Sequence, residues 1–180
     1  MQAAGVASDR ISFGNTIKKE KDIAWAYQQG VRLFAFDSEA ELQKLARVAP
    51  GARVFCRVLV DCGGAEWPLS KKFGCAPEMA KDLLRKAQDW GLDAYGISFH
   101  VGSQQTDLDQ WDKALGQVSQ MFFALAEEGV DLRMVNLGGG FPARYRAEVS
   151  GLEAYCEAVT RALVRHFGNH MPEVIIEPGR

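Results

Sequence analysis

The residues of this sequence that could carry chemistry stand where apolar segments end. Three consecutive glycines, Gly138–Gly140, follow the apolar run Met134–Leu137. Glycine lets the backbone take unusual dihedral angles and lets a ligand approach bare amides, and a row of exposed backbone N–H groups binds phosphate and other anions. We therefore predict a buried strand that ends in an anion-binding turn. A plain tight turn after the strand is the alternative interpretation of the glycines.

A histidine and a glutamate end two further apolar segments. His100 follows the run Ala94–Phe99, and Glu177 follows Val174–Ile176. An imidazole at the carboxyl end of a strand can lie flat on an aromatic ring or act as an acid or base, although a histidine satisfied within the core is the alternative. A buried carboxylate is costly unless it is paired. Glu177 is therefore predicted to face a cation, a hydrogen-bonding group or the cleft at the strand ends.

Two arginines are harder to interpret from position alone. Arg57 lies inside the apolar segment Val54–Val60, where a buried guanidinium needs an acidic or polar partner. An arginine on the outer side of that strand is the alternative. Arg180 is the last residue, and its position alone predicts a solvated side chain.

An alternation of strands and helices must position these residues. Apolar spacing, glycine and proline breaks and the N-cap pattern of Ser38 and Glu41 predict six strands and five helices. The predicted strands cover residues 10–15, 31–36, 54–60, 94–100, 134–137 and 173–177, and the predicted helices cover 18–30, 38–49, 77–90, 108–128 and 152–167. Such alternation is typical of parallel strands joined by right-handed crossovers. It fits either a doubly wound open sheet or an incomplete (β/α)₈ barrel.

The unusual residues cluster directly after these strands, which is more informative than any single motif. In both architectures the carboxyl ends of the strands form the ligand site. The segment from Asp61 to Phe73 interrupts the alternation and contains aromatic and basic residues. A connection of this length is commonly functional or disordered, and we predict an ordered functional loop.

Composition limits the classes of protein that need to be considered. The 180 residues can form one domain with a core, and a net charge of −2 gives no reason to expect nucleic acid or an anionic membrane as a partner. No apolar run approaches the roughly 20 residues of a membrane-spanning helix, and Met1–Val6 does not resemble a signal peptide. The cysteines lack a C-x-x-C pair, so we expect no metal site and predict reduced thiols in a cytoplasmic protein. They are Cys56, Cys62, Cys75 and Cys156.

Three motifs together resemble those of a known enzyme family. They are Ser98–Ser103 (Ser-Phe-His-Val-Gly-Ser), Leu137–Pro142 (Leu-Gly-Gly-Gly-Phe-Pro) and Glu177–Arg180 (Glu-Pro-Gly-Arg), supported by Phe36–Glu39 and Lys72–Gly74. In this order and spacing they resemble the pyridoxal-phosphate (PLP) decarboxylases with an alanine-racemase-like barrel, known as fold type III. The resemblance is strongest to ornithine/lysine decarboxylases and covers nearly the whole chain.

The resemblance implies a role for each matching residue. His100 corresponds to the histidine that stacks on the pyridine ring, Glu177 to the acid that pairs with the ring nitrogen, and Arg57 to the arginine near the phenolic oxygen. The remaining predicted cofactor-binding residues correspond to the phosphate site, and they are Ser103, Gly138, Gly139, Gly140, Pro178, Gly179 and Arg180. His100 and Glu177 are thus the predicted catalytic residues. A carboxylate beside the ring nitrogen keeps that nitrogen protonated, which lets the ring accept the electron pair left by departing CO₂.

The resemblance also implies an activity and an assembly. It implies a partial (β/α)₈ barrel in a single domain over residues 1–180, decarboxylation of L-ornithine or L-lysine to a diamine, and a homodimer. The family's Schiff-base lysine and its C-terminal β-domain have no counterpart in this sequence. We therefore expect an internal fragment that is inactive alone and self-associates through its open sheet edges.

Two other functions stay open at this point. A non-catalytic relative that acts by binding proteins would suit the missing lysine. An open-sheet nucleotide binder could use Gly138–Gly140, but the sequence lacks the G-x-G-x-x-G spacing and the acidic residue about 20 positions later.

Overall fold

Eight strands and five α-helices make up the part of the chain that the computed structural model describes, residues 1–60, 63, 65–67, 72–145 and 148–179, without the side chains of Gln2, Glu66 and Trp67. The strands are β1 (Ser12–Phe13), β2 (Leu33–Phe36), β3 (Arg53–Arg57), β4 (Ala65–Trp67), β5 (Asp93–Ser98), β6 (Ser103–Gln105), β7 (Met134–Asn136) and β8 (Glu173–Ile175). The helices are α1 (Glu20–Gln28), α2 (Glu39–Val48), α3 (Pro77–Asp89), α4 (Asp109–Glu127) and α5 (Leu152–Phe167).

Six of the strands form one parallel sheet in the order β1-β2-β3-β5-β7-β8. The order follows the chain without a reversal. A doubly wound sheet reverses its strand order at a switch point, whereas a barrel adds each strand beside the previous one. The predicted partial (β/α)₈ barrel is therefore confirmed, and the open-sheet alternative is wrong.

The two faces of the sheet are covered differently. Alternate strand side chains such as Phe34, Val54 and Val135 pack with residues of the helices in one large core. Their neighbours on the other face form a small cluster that contains strand residues only: Leu33, Ala35, Phe55 and Met134, with Tyr95 and Ile175 beside them. Helices on one face alone are what a barrel wall requires, because the other face is the barrel interior.

The sheet curls strongly enough to bring its first and last strands near each other. A Cβ atom built at Gly14, just after β1, would lie 3.5 Å from the Oε1 atom of Glu177, just after β8. These residues belong to the two outermost strands of the sheet. The carboxyl ends of the strands therefore surround a common space.

The last strand differs from its prediction in one physical respect. The sequence suggested a buried strand, but the side chains of Glu173, Val174 and Glu177 are exposed. They are exposed because β8 is an edge strand with β7 as its one partner. A small antiparallel sheet of β4 and β6 was also not predicted, since segments of three residues carry too little periodicity to be recognised.

The start of α2 shows half of the predicted capping pattern. The Ser38 hydroxyl accepts a hydrogen bond from the Glu41 N–H at 3.3 Å. The Glu41 carboxylate, however, forms ion pairs with Lys18 and Lys44. These ion pairs, one with Lys18 and one within α2, thus take the place of the return bond to Ser38 that a full capping box would contain.

Neither membrane-spanning nor disulfide-bonded elements are found among the described residues. None of their helices is both long enough and apolar enough to cross a bilayer. The described cysteines, Cys56, Cys75 and Cys156, are free thiols. Burial raises the pKa of Cys56, which keeps that thiol protonated and unreactive.

Candidate functional site

Three segments, which follow β5, β7 and β8, meet around a cavity of about 230 Å³ at the carboxyl edge of the sheet. Its lining includes six of the predicted site residues, together with Gln104 and Phe141; the six are His100, Ser103, Gly139, Gly140, Glu177 and Gly179. A larger concavity of about 510 Å³ lies beside β1, where mainly apolar side chains line it. We assign the site to the smaller cavity because polar groups converge there and not in the larger one.

The glycine turn is packed so closely that side chains would not fit. A Cβ atom built at Gly139 would lie 2.6 Å from the carbonyl oxygen of Glu177. At Gly138 and Gly140 a Cβ would overlap the carbonyl oxygens of Phe99 and Gly102, and both glycines have positive φ angles of 65° and 97°. The turn therefore needs glycine for its shape as well as for access to its amides.

The backbone N–H groups of the turn have different partners. The Gly138 N–H donates to the Oδ1 atom of Asn136 at 2.9 Å. In the described part of the chain, the N–H groups of Gly139 and Gly140 have no hydrogen-bond acceptor. Two adjacent unbonded amides beside a cavity can bind an anion such as a phosphate.

Asn136 links the glycine turn to the predicted catalytic acid. Its Nδ2 atom donates to Glu177 Oε1 at 3.1 Å while its Oδ1 atom holds the Gly138 N–H. The side chain of Asn136 is buried at the end of β7, and the Glu177 N–H donates to the Gly138 carbonyl at 2.8 Å. The carboxylate of Glu177 is thus oriented although it is exposed. Its neighbours hold it at the cavity edge.

His100 is held as a neutral imidazole. Its Nδ1 atom accepts a hydrogen bond from the Gly102 N–H at 2.9 Å, so the proton of the neutral ring is on Nε2. Burial lowers the pKa of His100, and the guanidinium of Arg57 lowers it further. The ring therefore stays uncharged near neutral pH and offers a flat surface at the cavity.

Arg57, another predicted cofactor-binding residue, ends β3 and is not among the residues that line this cavity. Its guanidinium is near His100, as their electrostatic interaction shows, and it lies 5.7 Å from the centroid of the Phe73 ring. The Asp37 carboxylate accepts the Gly74 N–H at 2.8 Å. Two motifs that are distant in sequence, Phe36–Glu39 and Lys72–Gly74, are thereby joined at the strand ends.

The buried lysine of the described residues has two hydrogen bonds and one ion pair. The Nζ atom of Lys18 contacts the Asn15 carbonyl at 2.8 Å, the Ala35 carbonyl and the Glu41 carboxylate. Two of its three N–H donors have carbonyl acceptors, and the Glu41 carboxylate at 3.0 Å balances its charge. Burial lowers the pKa of Lys18, and Glu41 opposes that shift. The side chain of Lys18 therefore connects a strand residue, Ala35, to a helix residue, Glu41.

Some predicted residues lie outside the cavity or outside the described residues. Gly138 supports the turn through Asn136, and Pro178 joins two residues of the lining. Arg180 lies outside the described residues. So does much of the predicted functional loop from Asp61 to Phe73, of which the structure describes 63, 65–67 and 72–73.

Two residues at the site were not predicted from the sequence. Asn136 had a signal, since a polar side chain stood within the apolar run before the glycines. Gln104 had none, because a glutamine in a polar loop is unremarkable. Both are almost completely buried, and the structure alone shows what they bind.

The sequence model of one family, described as "Pyridoxal-dependent decarboxylase, pyridoxal binding domain", matches residues 1–180. The chain belongs to this family. The recognition and the cofactor that the motifs predicted, PLP, are thus confirmed at the level of the family.

Individual members of the decarboxylase family are similar over nearly the whole chain. Decarboxylase flvG of Aspergillus flavus is 36% identical over 100% of this chain and 41% of its own length. The lysine/ornithine decarboxylase of Selenomonas ruminantium is 35% identical over 98% of this chain and 44% of its own length. The chain therefore spans less than half of each of these relatives.

A solved decarboxylase shares the fold closely. The crystal structure of SrLDC in complex with PLP and cadaverine has a TM-score of 0.88 and 35% identity, covering 99% of this chain and 44% of that one. The partial barrel described above therefore has the same fold as the matching part of that enzyme.

The residues of this pyridoxal-binding domain fit a phosphorylated pyridine. Two unbonded amides suit a phosphate, a flat neutral imidazole suits an aromatic ring, and an oriented carboxylate suits a ring nitrogen. All three groups line one cavity. Their chemistry is therefore complementary to PLP at three separate points.

Proposed function

We propose that this chain is the cofactor-binding part of an enzyme that decarboxylates a basic amino acid. The phosphate of PLP would be held by the N–H groups of Gly139 and Gly140 and by Ser103. The imidazole of His100 and the carboxylate of Glu177 would hold the pyridine ring, one through its face and the other through its nitrogen. The observation that carries the proposal is the single cavity lined by the imidazole, the glycine turn and the acid.

When bound, PLP supplies the electron-withdrawing ring that accepts the electron pair released with CO₂. Glu177 would hold a proton on the ring nitrogen, because a nearby negative charge favours the protonated form. Asn136 donates to one oxygen of Glu177 and so fixes the direction in which the carboxylate faces. Asn136 would thereby position the acid without touching the ring.

His100 would contribute shape and exclude water. The hydrogen bond from Gly102 to Nδ1 fixes the imidazole plane. Because the pKa of His100 is lowered, the ring adds no positive charge beside a protonated pyridine. A neutral, immobile ring can therefore cover one face of the cofactor and keep solvent away from it.

The substrate class comes from the named relatives. One is a lysine/ornithine decarboxylase and another was solved with the diamine cadaverine. We propose L-ornithine or L-lysine as the substrate and a diamine as the product, with a polyamine-related role. A homodimer and a cytoplasmic location stay predictions. The non-catalytic alternative is not favoured, because the cavity keeps the acid, the histidine and the glycines together.

Equilibrium binding of PLP to the 180-residue chain tests the proposal. We expect saturable, reversible binding that is much stronger for PLP than for pyridoxal, which lacks the phosphate. Gly139→Ala should weaken PLP binding by about 100-fold, because its Cβ would overlap the Glu177 carbonyl and deform the turn.

A second glycine provides the matched control. Gly129 also has a positive φ angle, 83°, but a Cβ there would meet no atom within 4 Å, and it lies at the end of α4, away from the cavity. Gly129→Ala should lower stability and leave PLP affinity within about twofold. Equal binding of PLP and pyridoxal would contradict the proposed phosphate site.

A further inference from the structure

The side chain of Gln104 forms a two-way connection to the backbone of Ala143. Its Nε2 atom donates to the Ala143 carbonyl at 2.6 Å, and its Oε1 atom accepts the Ala143 N–H at 3.2 Å. The amide thus binds one residue as a neighbouring strand would. Both hydrogen bonds join segments 39 positions apart in the sequence.

Gln104 occupies an unusual position for this connection. It is 3% exposed and lines the cavity. Its φ angle of 55° makes it a non-glycine residue in the left-handed region, and no other such residue is found in the described ranges. That conformation is unfavourable for a side chain with a Cβ and persists where the surrounding contacts require it.

The glycine turn is attached at its start, middle and end by different groups. Gly138 is fixed by Asn136, the Gly140 carbonyl accepts the Gln105 N–H at 2.8 Å, and Phe141 stacks on the buried ring of Trp111 with 5.1 Å between centroids. The end of the turn, Ala143, is attached through Gln104. Loss of this last attachment would leave the earlier ones in place and free the segment that follows Phe141.

We infer that Gln104 is a positioning residue for the phosphate site, holding Ala143 so that the N–H groups of Gly139 and Gly140 stay directed at the cavity. A glutamine is suited to this task because a primary amide both donates and accepts. A methionine has similar length and offers neither group in useful strength. The inference rests on the proposed function for its phosphate, while the connection to Ala143 is independent of it.

Amide hydrogen exchange on the chain without cofactor tests the connection itself. In Gln104→Met the Ala143 N–H loses its acceptor, and we expect its exchange to become at least about tenfold faster. Gln88→Met is the matched control, because Gln88 also donates to a backbone carbonyl, that of Gly129, at an exposed site. It should leave Ala143 exchange unchanged.

Ligand binding then tests the role. Gln104→Met removes both hydrogen bonds to Ala143 and should weaken PLP binding by about tenfold, an effect as large as the loss of one hydrogen bond between the turn amides and the phosphate. Pyridoxal binding should change less than about twofold, since pyridoxal does not use the phosphate site. General destabilisation would weaken both ligands alike, so the difference between them identifies positioning.

The outcomes separate this inference from the proposed function. Unchanged Ala143 exchange in Gln104→Met would overturn the connection. Faster exchange with unchanged PLP affinity would overturn the positioning role. If the unmodified chain binds PLP no better than pyridoxal, the proposed phosphate site itself fails, and the exchange result alone decides whether Gln104 holds the turn.

Discussion

Polar groups at the two ends of the parallel strands differ in whether they are already paired with each other. At the amino end, charges are close together and neutralise each other. The guanidinium groups of Arg53 and Arg133 lie 5.0 and 4.9 Å from the centroid of the Tyr95 ring. Arg133 pairs with Asp93, and the Tyr95 hydroxyl donates to Glu173 at 2.6 Å.

At the carboxyl end, neighbouring residues orient the polar groups but leave hydrogen-bonding capacity available for a ligand. Asn136 directs Glu177, and Gly102 directs His100. The amides of Gly139 and Gly140 have no acceptor among the described residues. A cluster of charges therefore does not by itself locate the site, because the charged groups at the amino end already satisfy each other.

The largest loss of stability is expected when the side-chain hydrogen bonds of Asn136 at the carboxyl end are removed. Asn136→Leu leaves the buried Gly138 N–H without its acceptor and Glu177 without its donor. We expect a loss of roughly 3 kcal/mol in the free energy of unfolding, measured with urea, and weaker PLP binding. At the amino end, Tyr95→Phe removes one partly exposed hydrogen bond and should cost no more than about 1 kcal/mol. Equal losses at the two ends would contradict the comparison.

A smaller effect is expected from the titration of His100. Its pKa in the folded chain lies below its ordinary value of about 6.5, so the unfolded chain binds the proton more readily. Stability should therefore rise as pH increases toward and through about 6.5, and fall as pH decreases below it. In His100→Gln this part of the pH dependence should disappear.

Urea denaturation between about pH 5 and pH 8 measures this effect. His170→Gln serves as the control for replacing a histidine by glutamine, because His170 is exposed near the end of α5. An unaltered slope in His100→Gln would show that burial of this imidazole has no energetic consequence.

The smallest effect is expected from the ion pair at the amino end. Arg133→Met removes the pair with Asp93, in which the two side chains are 50% and 35% exposed. Solvent-exposed pairs contribute at most about 1 kcal/mol, and PLP affinity should not change. A loss of PLP affinity in this variant would show that the two ends are coupled through the strands.

Much of the fold could be predicted because its signals are local. The runs that became β2, β3 and β5 are apolar and bounded by glycine or by N-cap residues, and α5 was predicted with its observed bounds, Leu152–Phe167. The burial of β8 could not be predicted, since it depends on what packs beside that strand. The choice between barrel and open sheet depended on strand order, which local patterns do not contain.

The site residues likewise divide into those with a local sequence signal and those that depend on distant partners. The sequence allows prediction of His100, Glu177 and the glycine turn, because their residue types are unusual at the ends of apolar strands. Asn136 and Gln104 act through partners 41 and 39 positions away. A hydrogen bond over such a distance leaves no periodicity in the sequence.

The sequence by itself determined the alternation of strands and helices, the residue types at the strand ends and the resemblance to PLP decarboxylases. These depend on side-chain chemistry and on spacing along the chain. Only the tertiary structure decided that the sheet curls, that Glu177 approaches Gly14, and that Asn136 and Gln104 hold the glycine turn from two sides. The physical reason is that hydrogen bonds and close packing act through space, and folding alone sets which distant residues become neighbours.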